Sequence, residues 1–208
     1  MPRAHEIQVL GIRTRLVGMR ALGAGVLMLV LLSASRWSIA GPALVGEVLF
    51  AAGLVLAVAG FLGRLWARCY IGGRKKRVLV CSGPYSLCRH PLYLFSLVGG
   101  VGLGLCTQRF AIAALALAAG LLFFPGAIRR EESFLLARFE SYPEYRRAVP
   151  AVLPHWPLRA CADDIQVDGR ELRRAVLEVA GYLVAPALLA LVAGLQAAGV
   201  LPHLFLPP

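Results

Sequence analysis

Hydrophobic residues gather into five long runs, at 19–35, 43–65, 92–106, 110–127 and 175–201, with most polar residues confined to the stretches between them. Runs of this kind predict spanning helices, since about 20 apolar residues cross the hydrocarbon core of a bilayer. The connection "RWSIAGP" is too short for anything but a turn, so the first two runs predict an antiparallel hairpin. "TQR" does the same for the third and fourth. The third run is short and glycine-rich, "LVGGVGLGL", and Gly100 and Gly104 form a small-xxx-small pair opposite the alanine-rich fourth run. Small residues let helix backbones approach closely in lipid, so a tight hairpin is expected there. Its closure would bring residues 89–93 beside residues 129–132, which lie far apart in sequence.

Of the 22 Lys and Arg, only Arg36 and Arg109 fall in the two short connections, and the others flank the opposite ends of the runs. This is the positive-inside asymmetry. It places the N-terminus, residues 66–91 and residues 128–174 in the cytoplasm, and the C-terminus outside. The formal net charge of +11 then reads as an orientation signal and an attraction to anionic membrane lipids, not as a nucleic-acid footprint. Composition agrees. The chain is 59% hydrophobic and 16% charged, against about half and about a quarter in soluble domains. "LLSASRW" has the small residues of a cleavage site, but the stretch before it is long and charged, which fits a retained anchor better. Cys69, Cys81, Cys88, Cys106 and Cys161 are odd in number, form no C-x-x-C pair, and lie mostly in segments placed in the reducing cytoplasm. Cys88 and His90 are close, but no second ligand pair accompanies them, so no metal is expected.

These signals divide the chain into a basic arm at 1–18, a transmembrane hairpin at 19–66, a core at 67–157, and a linker with a fifth span at 158–208 bent at Pro186. "VLVCSGPY" reads as a short extended stretch turned by Gly83 and Pro84. After the fourth run, Phe134, Leu135, Leu136 and Phe139 interleave with Arg138 and Glu140. That predicts a helix continuing into the headgroup layer, with Tyr and Trp anchors. Glu47 lies inside the second run, where a carboxylate is a functional candidate, although its place about one turn from the run's end suits an interfacial group. The architecture expected is all-α: a polytopic membrane protein with five transmembrane helices, a cytoplasmic N-terminus, and a cytoplasmic interfacial helix after the fourth span.

The stretch "GPYSLCRHPLYL", residues 83–94, carries the first candidate chemistry. Pro91 suits the first position of a helix, because its missing N–H is one of those left free there. Arg89 and His90 then sit at the positive end of the helix dipole, unfavourable by about 1 kcal/mol or less each unless something negative joins them. A basic, N–H-rich pocket seeking an anion is one reading. The alternative is an Arg89 that snorkels and a His90 that caps. Glu131 and Glu132 supply the complementary charge. Neighbouring helical residues point about 100° apart, so at least one carboxylate can face a site while the other meets Arg129, Arg130 or water. An inward carboxylate can accept ribose hydroxyls or face a cation.

In order and spacing, "GPYSLCRHPLYL", a glycine-rich hairpin, and "EESFLLARFESYPEYRRAVPAVLP" together resemble the isoprenylcysteine carboxyl methyltransferase family and the related phospholipid N-methyltransferases. The likeness covers roughly residues 50–157. It implies an integral membrane S-adenosylmethionine-dependent methyltransferase without a Rossmann domain, its cofactor held at the cytoplasmic face and its acceptor a lipidic or lipidated small molecule. Carried over by position, Arg89, His90, Arg130 and Glu132 are the implied catalytic residues. His90, Pro91, Tyr93, Leu94, Glu131, Glu132 and Tyr142 are implied to bind the cofactor, and Tyr142, Tyr145, Val149 and Pro150 match the family's tail. There are departures. Ala127 stands where the family often has an Arg, and Phe139-Glu140-Ser141-Tyr142 is one residue shorter than the family's stretch and lacks its Gly. Residues 175–201 lie beyond the likeness. Two rival readings are an NADPH-dependent membrane reductase of the sterol type, for which the chain is short, and a non-enzymatic scaffold or transporter, against which the lack of an inverted repeat counts.

Overall fold

A computed structural model describes residues 43–72, 78–156 and 169–200. These form six helices: α1 (Ala43–Ile71), α2 (Pro84–Leu87), α3 (Pro91–Cys106), α4 (Phe110–Arg138), α5 (Tyr142–Ala148) and α6 (Gly169–Ala197). Among the described residues there is no strand. The all-helical expectation holds. Among the described residues two helices, α1 and α4, are long and apolar enough to cross a membrane, each with a mean hydropathy of 2.2. α3 and the apolar part of α6, Leu183–Ala197, are shorter. The first expected span, 19–35, lies outside the described residues.

The helix boundaries depart from the hydrophobic runs in an instructive way. α1 continues past the end of its apolar run to Ile71, so "RLWARCY" is helical rather than loop. α4 runs without a break from Phe110 to Arg138, with Pro125 inside it. The stretch expected in the headgroup layer is therefore the end of the same helix, and the separate element after it is the short α5. Where the sequence suggests an extended strand turned at Gly83 and Pro84, a one-turn helix starts at Pro84.

Among the described residues the closest helix pair is α1 with α3, while α3 and α4 also pack as the expected hairpin. A Cβ on Gly60 would fall 2.4 Å from the Gly99 amide, and one on Gly102 would fall 2.4 Å from the Ala57 amide. Gly53 lies as tightly against Cys106. Backbone therefore meets backbone along this seam, the arrangement that small residues permit in lipid. Gly104 does touch α4, 2.6 Å from Ala113 Cα by the same construction, but Gly100 faces open space. The reason is angular. α3 serves two neighbours, and residues at i and i+3 share a face, so Gly99 and Gly102 go to α1 while Gly104 is left for α4. α4 meets α3 closely beside the turn at Thr107, Gln108 and Arg109, where Gln108 adopts φ 57 and donates to the Gly46 carbonyl at 3.1 Å.

At the opposite end of α1 and α3, Arg64 donates to Ser96, whose hydroxyl donates to the Leu92 carbonyl at 2.5 Å. These bonds pin the two helices beside the His-Pro turn. α6 packs across α1 and α3. Glu47 is exposed near the start of α1, a helix length away from that turn.

Candidate functional site

The segment before α3 is built from unusual backbone. Gly83 takes φ 60 with the Tyr70 ring lying against it, so a Cβ there would meet that ring at 2.2 Å. Only glycine combines this conformation with this approach. Pro91 then opens α3 and is fully buried, with His90 as the N-cap. The expected cluster of free N–H groups is not found. The Arg89 amide donates to the Pro150 carbonyl at 2.9 Å and the His90 amide to Ala151 at 3.0 Å, while those of Tyr93 and Leu94 turn back to the His90 carbonyl. The chain after α5 thus straps the His-Pro segment from outside, helped by the His155 amide on the Leu87 carbonyl at 2.9 Å.

The anion that this basic segment calls for comes largely from the protein itself. Glu132 is 9% exposed. Its Oε1 meets Arg89 Nη2 at 2.9 Å and His90 Nε2 at 3.3 Å, and its Oε2 lies 3.7 Å from Arg146 Nε. Glu131 Oε2 lies 3.7 Å from His90 Nδ1, and its side chain is far more accessible. The His90 ring is therefore held between the two acids, one per nitrogen. Residues 89–93 and 129–132 do meet, as the hairpin argument predicted.

Beside this cluster lies a cavity of about 390 Å³, large enough for a drug-sized ligand. Tyr85, Arg89, Tyr93, Arg130 and Glu131 form its polar wall. Ile71, Leu79, Phe134, Leu135 and Phe139 form an apolar wall from the end of α1, the segment before α2, and the end of α4 with its C-cap. Of the residues that sequence singles out as catalytic or cofactor-binding, Arg89, Tyr93, Arg130 and Glu131 line the cavity. His90, Pro91, Glu132 and Tyr142 are buried but do not line it, and Leu94 is half-buried and not on its wall. The choice the sequence left open between the neighbouring pairs is made: Arg130 and Glu131 turn to the cavity, Glu132 turns to the ion cluster, and Arg129 is exposed.

Tyr142, Tyr145 and Val149 form a small core with Leu79, Leu135 and Phe139, which closes the cavity's floor. Burial, and then the charge of Glu132, push the Tyr142 phenol up to about 12. Burial likewise lifts the Cys88 thiol to about 11, so it stays a neutral packing group. Tyr145 donates to the Tyr85 carbonyl at 2.6 Å, which ties α5 to α2. Tyr85 lines the cavity, yet sequence reasoning passed over it. Its signal was faint: a lone aromatic five residues ahead of His90, in a stretch read as a turn.

Comparison with known proteins bears on this arrangement. The phospholipid methyltransferase family profile matches residues 42–141. The chain is 40% identical over 146 residues to the cobalt-zinc-cadmium resistance protein CzcN of Cupriavidus metallidurans, covering 70% of this chain and 66% of that protein. It is 37% identical over 139 residues to the nickel-cobalt-cadmium resistance protein NccN of Alcaligenes xylosoxydans xylosoxydans, covering 67% and 64%. The matches thus span just under two thirds of these relatives' own lengths. A protein-S-isoprenylcysteine O-methyltransferase of Schizosaccharomyces pombe is 32% identical over 84 residues, covering 40% of this chain and 36% of that protein. No solved structure matches. The matched stretch carries the glycine seam, the His-Pro turn and both acids, and the family profile together with the Schizosaccharomyces pombe enzyme supports the phospholipid and isoprenylcysteine methyltransferase family for this chain.

Proposed function

We propose that this protein is an integral membrane methyltransferase that uses S-adenosylmethionine and methylates a carboxylate or amine of a lipidic or lipidated acceptor at the cytoplasmic face of a bacterial inner membrane. The observation that carries this reading is the cavity itself, formed where the two distant family segments meet, with charged groups on one wall and apolar groups on the other. The residues present fit such a cofactor. Glu131 offers a carboxylate to ribose hydroxyls or to a cationic sulfonium, Arg130 and Arg89 offer guanidiniums to a carboxylate, and Tyr93 offers an aromatic face.

When bound, S-adenosylmethionine supplies a methyl group activated by its positive sulfur. The remaining work is positioning and the exclusion of water, which can account for most of the acceleration. In this reading Arg89 and Arg130 orient a carboxylate without taking a proton from it. His90, clamped between the two acids, holds Glu131 on the wall and Glu132 behind it. Glu132 keeps Arg89 extended toward the cavity. The apolar wall of Phe134, Leu135 and Phe139 receives the acceptor's hydrocarbon, which can arrive sideways from the membrane.

The test is incubation of the purified protein in nanodiscs with methyl-labelled S-adenosylmethionine and a total lipid extract. A labelled lipid-soluble product is expected, together with saturable binding of S-adenosylhomocysteine in the micromolar range, about −8 kcal/mol. Absence of both, with NADPH oxidation on adding a sterol, would replace this reading with the reductase.

A further inference from the structure

Buried polar atoms that meet no partner draw attention, because each costs the fold the desolvation of that group. The hydroxyls of Tyr85 and Tyr142 are two such atoms, and of these Tyr85 lines the cavity. Tyr85 is 7% exposed. Its backbone already does the structural work, since its carbonyl accepts the Tyr145 hydroxyl at 2.6 Å. Its ring would pack equally well as that of a phenylalanine. The hydroxyl therefore adds no bond to the fold and costs it the desolvation of that group.

The surroundings explain what the hydroxyl can do. Burial first, and then the charge of Glu131, push the phenol well above its ordinary range, so it keeps its proton. Glu131 lines the same cavity yet makes no hydrogen bond with it. A protonated, unpaired O–H on a residue of the cavity wall is a donor held ready.

We propose that the Tyr85 hydroxyl is a ligand contact, donating a hydrogen bond to an oxygen or nitrogen acceptor atom of the molecule that fills the cavity among α1, α2 and α4. This rests on the methyltransferase reading above and adds to it a residue that the ion cluster does not involve. Two molecules share the needed chemistry, the nucleoside cofactor and the polar head of the lipidic acceptor, and experiment separates them.

The variant is Tyr85→Phe, with Tyr145→Phe as the contrasting one. Without ligand, Tyr85→Phe melts a few degrees higher than wild type, because an unsatisfied group is gone, whereas Tyr145→Phe melts lower, because a real bond is lost. S-adenosylhomocysteine is then titrated into wild type and Tyr85→Phe by calorimetry in nanodiscs. A loss of roughly fivefold or more in affinity assigns the contact to the cofactor. Unchanged affinity, with a similar rise in the lipid-extract concentration that half-saturates labelled methyl transfer, assigns it to the acceptor. If both quantities match wild type, or if ligand-free Tyr85→Phe melts lower, the proposal is overturned while the methyltransferase reading stands. If wild type itself neither binds S-adenosylhomocysteine nor transfers label, both fall together.

Discussion

The two ends of α3 solve opposite problems. Along its length, Gly99 and Gly102 press against Gly60 and Ala57 of α1, backbone on backbone, with hardly a polar side chain involved. At its start, Arg89, His90 and Glu132 form a largely buried charge cluster next to a cavity, with the exposed Arg146 at its edge. The seam is intolerant of volume and indifferent to charge. The rim has room to spare, but its charges are committed to one another. In lipid, where apolar surface gains nothing by meeting apolar surface, close backbone packing must hold the helices. At the rim, charges are stable only when matched, and the matching leaves a shaped hollow behind.

The strongest way to break this contrast is Glu132→Gln. It leaves Arg89, His90 and Arg146 gathered around a neutral group, and a loss of about 3–5 kcal/mol is expected, read as a sharp fall in the melting temperature in detergent. Gly102→Ala comes next. Its new methyl meets the Ala57 amide, so about 1–3 kcal/mol should be lost, with the His-Pro rim unaltered in charge. Gly100→Ala, on the face that meets nothing, should be silent in the same assay.

Glu131→Gln sharpens the division within the acid pair. Its stability should stay within about 0.5 kcal/mol of wild type, while S-adenosylhomocysteine affinity falls about tenfold, or 1.4 kcal/mol. A stability loss as large as that of Glu132→Gln would refute the separation of roles. Arg130→Ala and Arg129→Ala repeat the test on the basic pair: the first should weaken methyl transfer about tenfold, and the second should leave it unchanged.

The smallest effect lies in alkali. The folded protein holds the Tyr142 proton more tightly than the unfolded chain does, so this group's contribution is complete below pH 10 and is lost as pH rises toward about 12. Tyr142→Phe lacks that loss, and its alkaline unfolding midpoint, followed by circular dichroism, should move slightly upward.

The sequence by itself determined the helical class, the apolar character of the spans and the identity of the two segments that meet, because hydrophobic runs, a Pro after His, and paired acids are local patterns. It also placed Pro91 at the first helical turn, a position set by the proline ring alone. It placed Gly104 against α4 correctly but misjudged what the other glycines serve. Gly99, Gly100, Gly102 and Gly104 look alike in one dimension, and only the rotation of α3 between two neighbours sorts them. It expected free N–H groups beside His90, because nothing local announces that Pro150 and Ala151 return to occupy them. It could not say which of Glu131 and Glu132 turns inward, since adjacent helical residues differ only by an angle that has meaning once α4 is docked. Tyr85 was passed over for the same reason. Whether a hydroxyl is satisfied depends on every atom around it, and that is decided by tertiary packing.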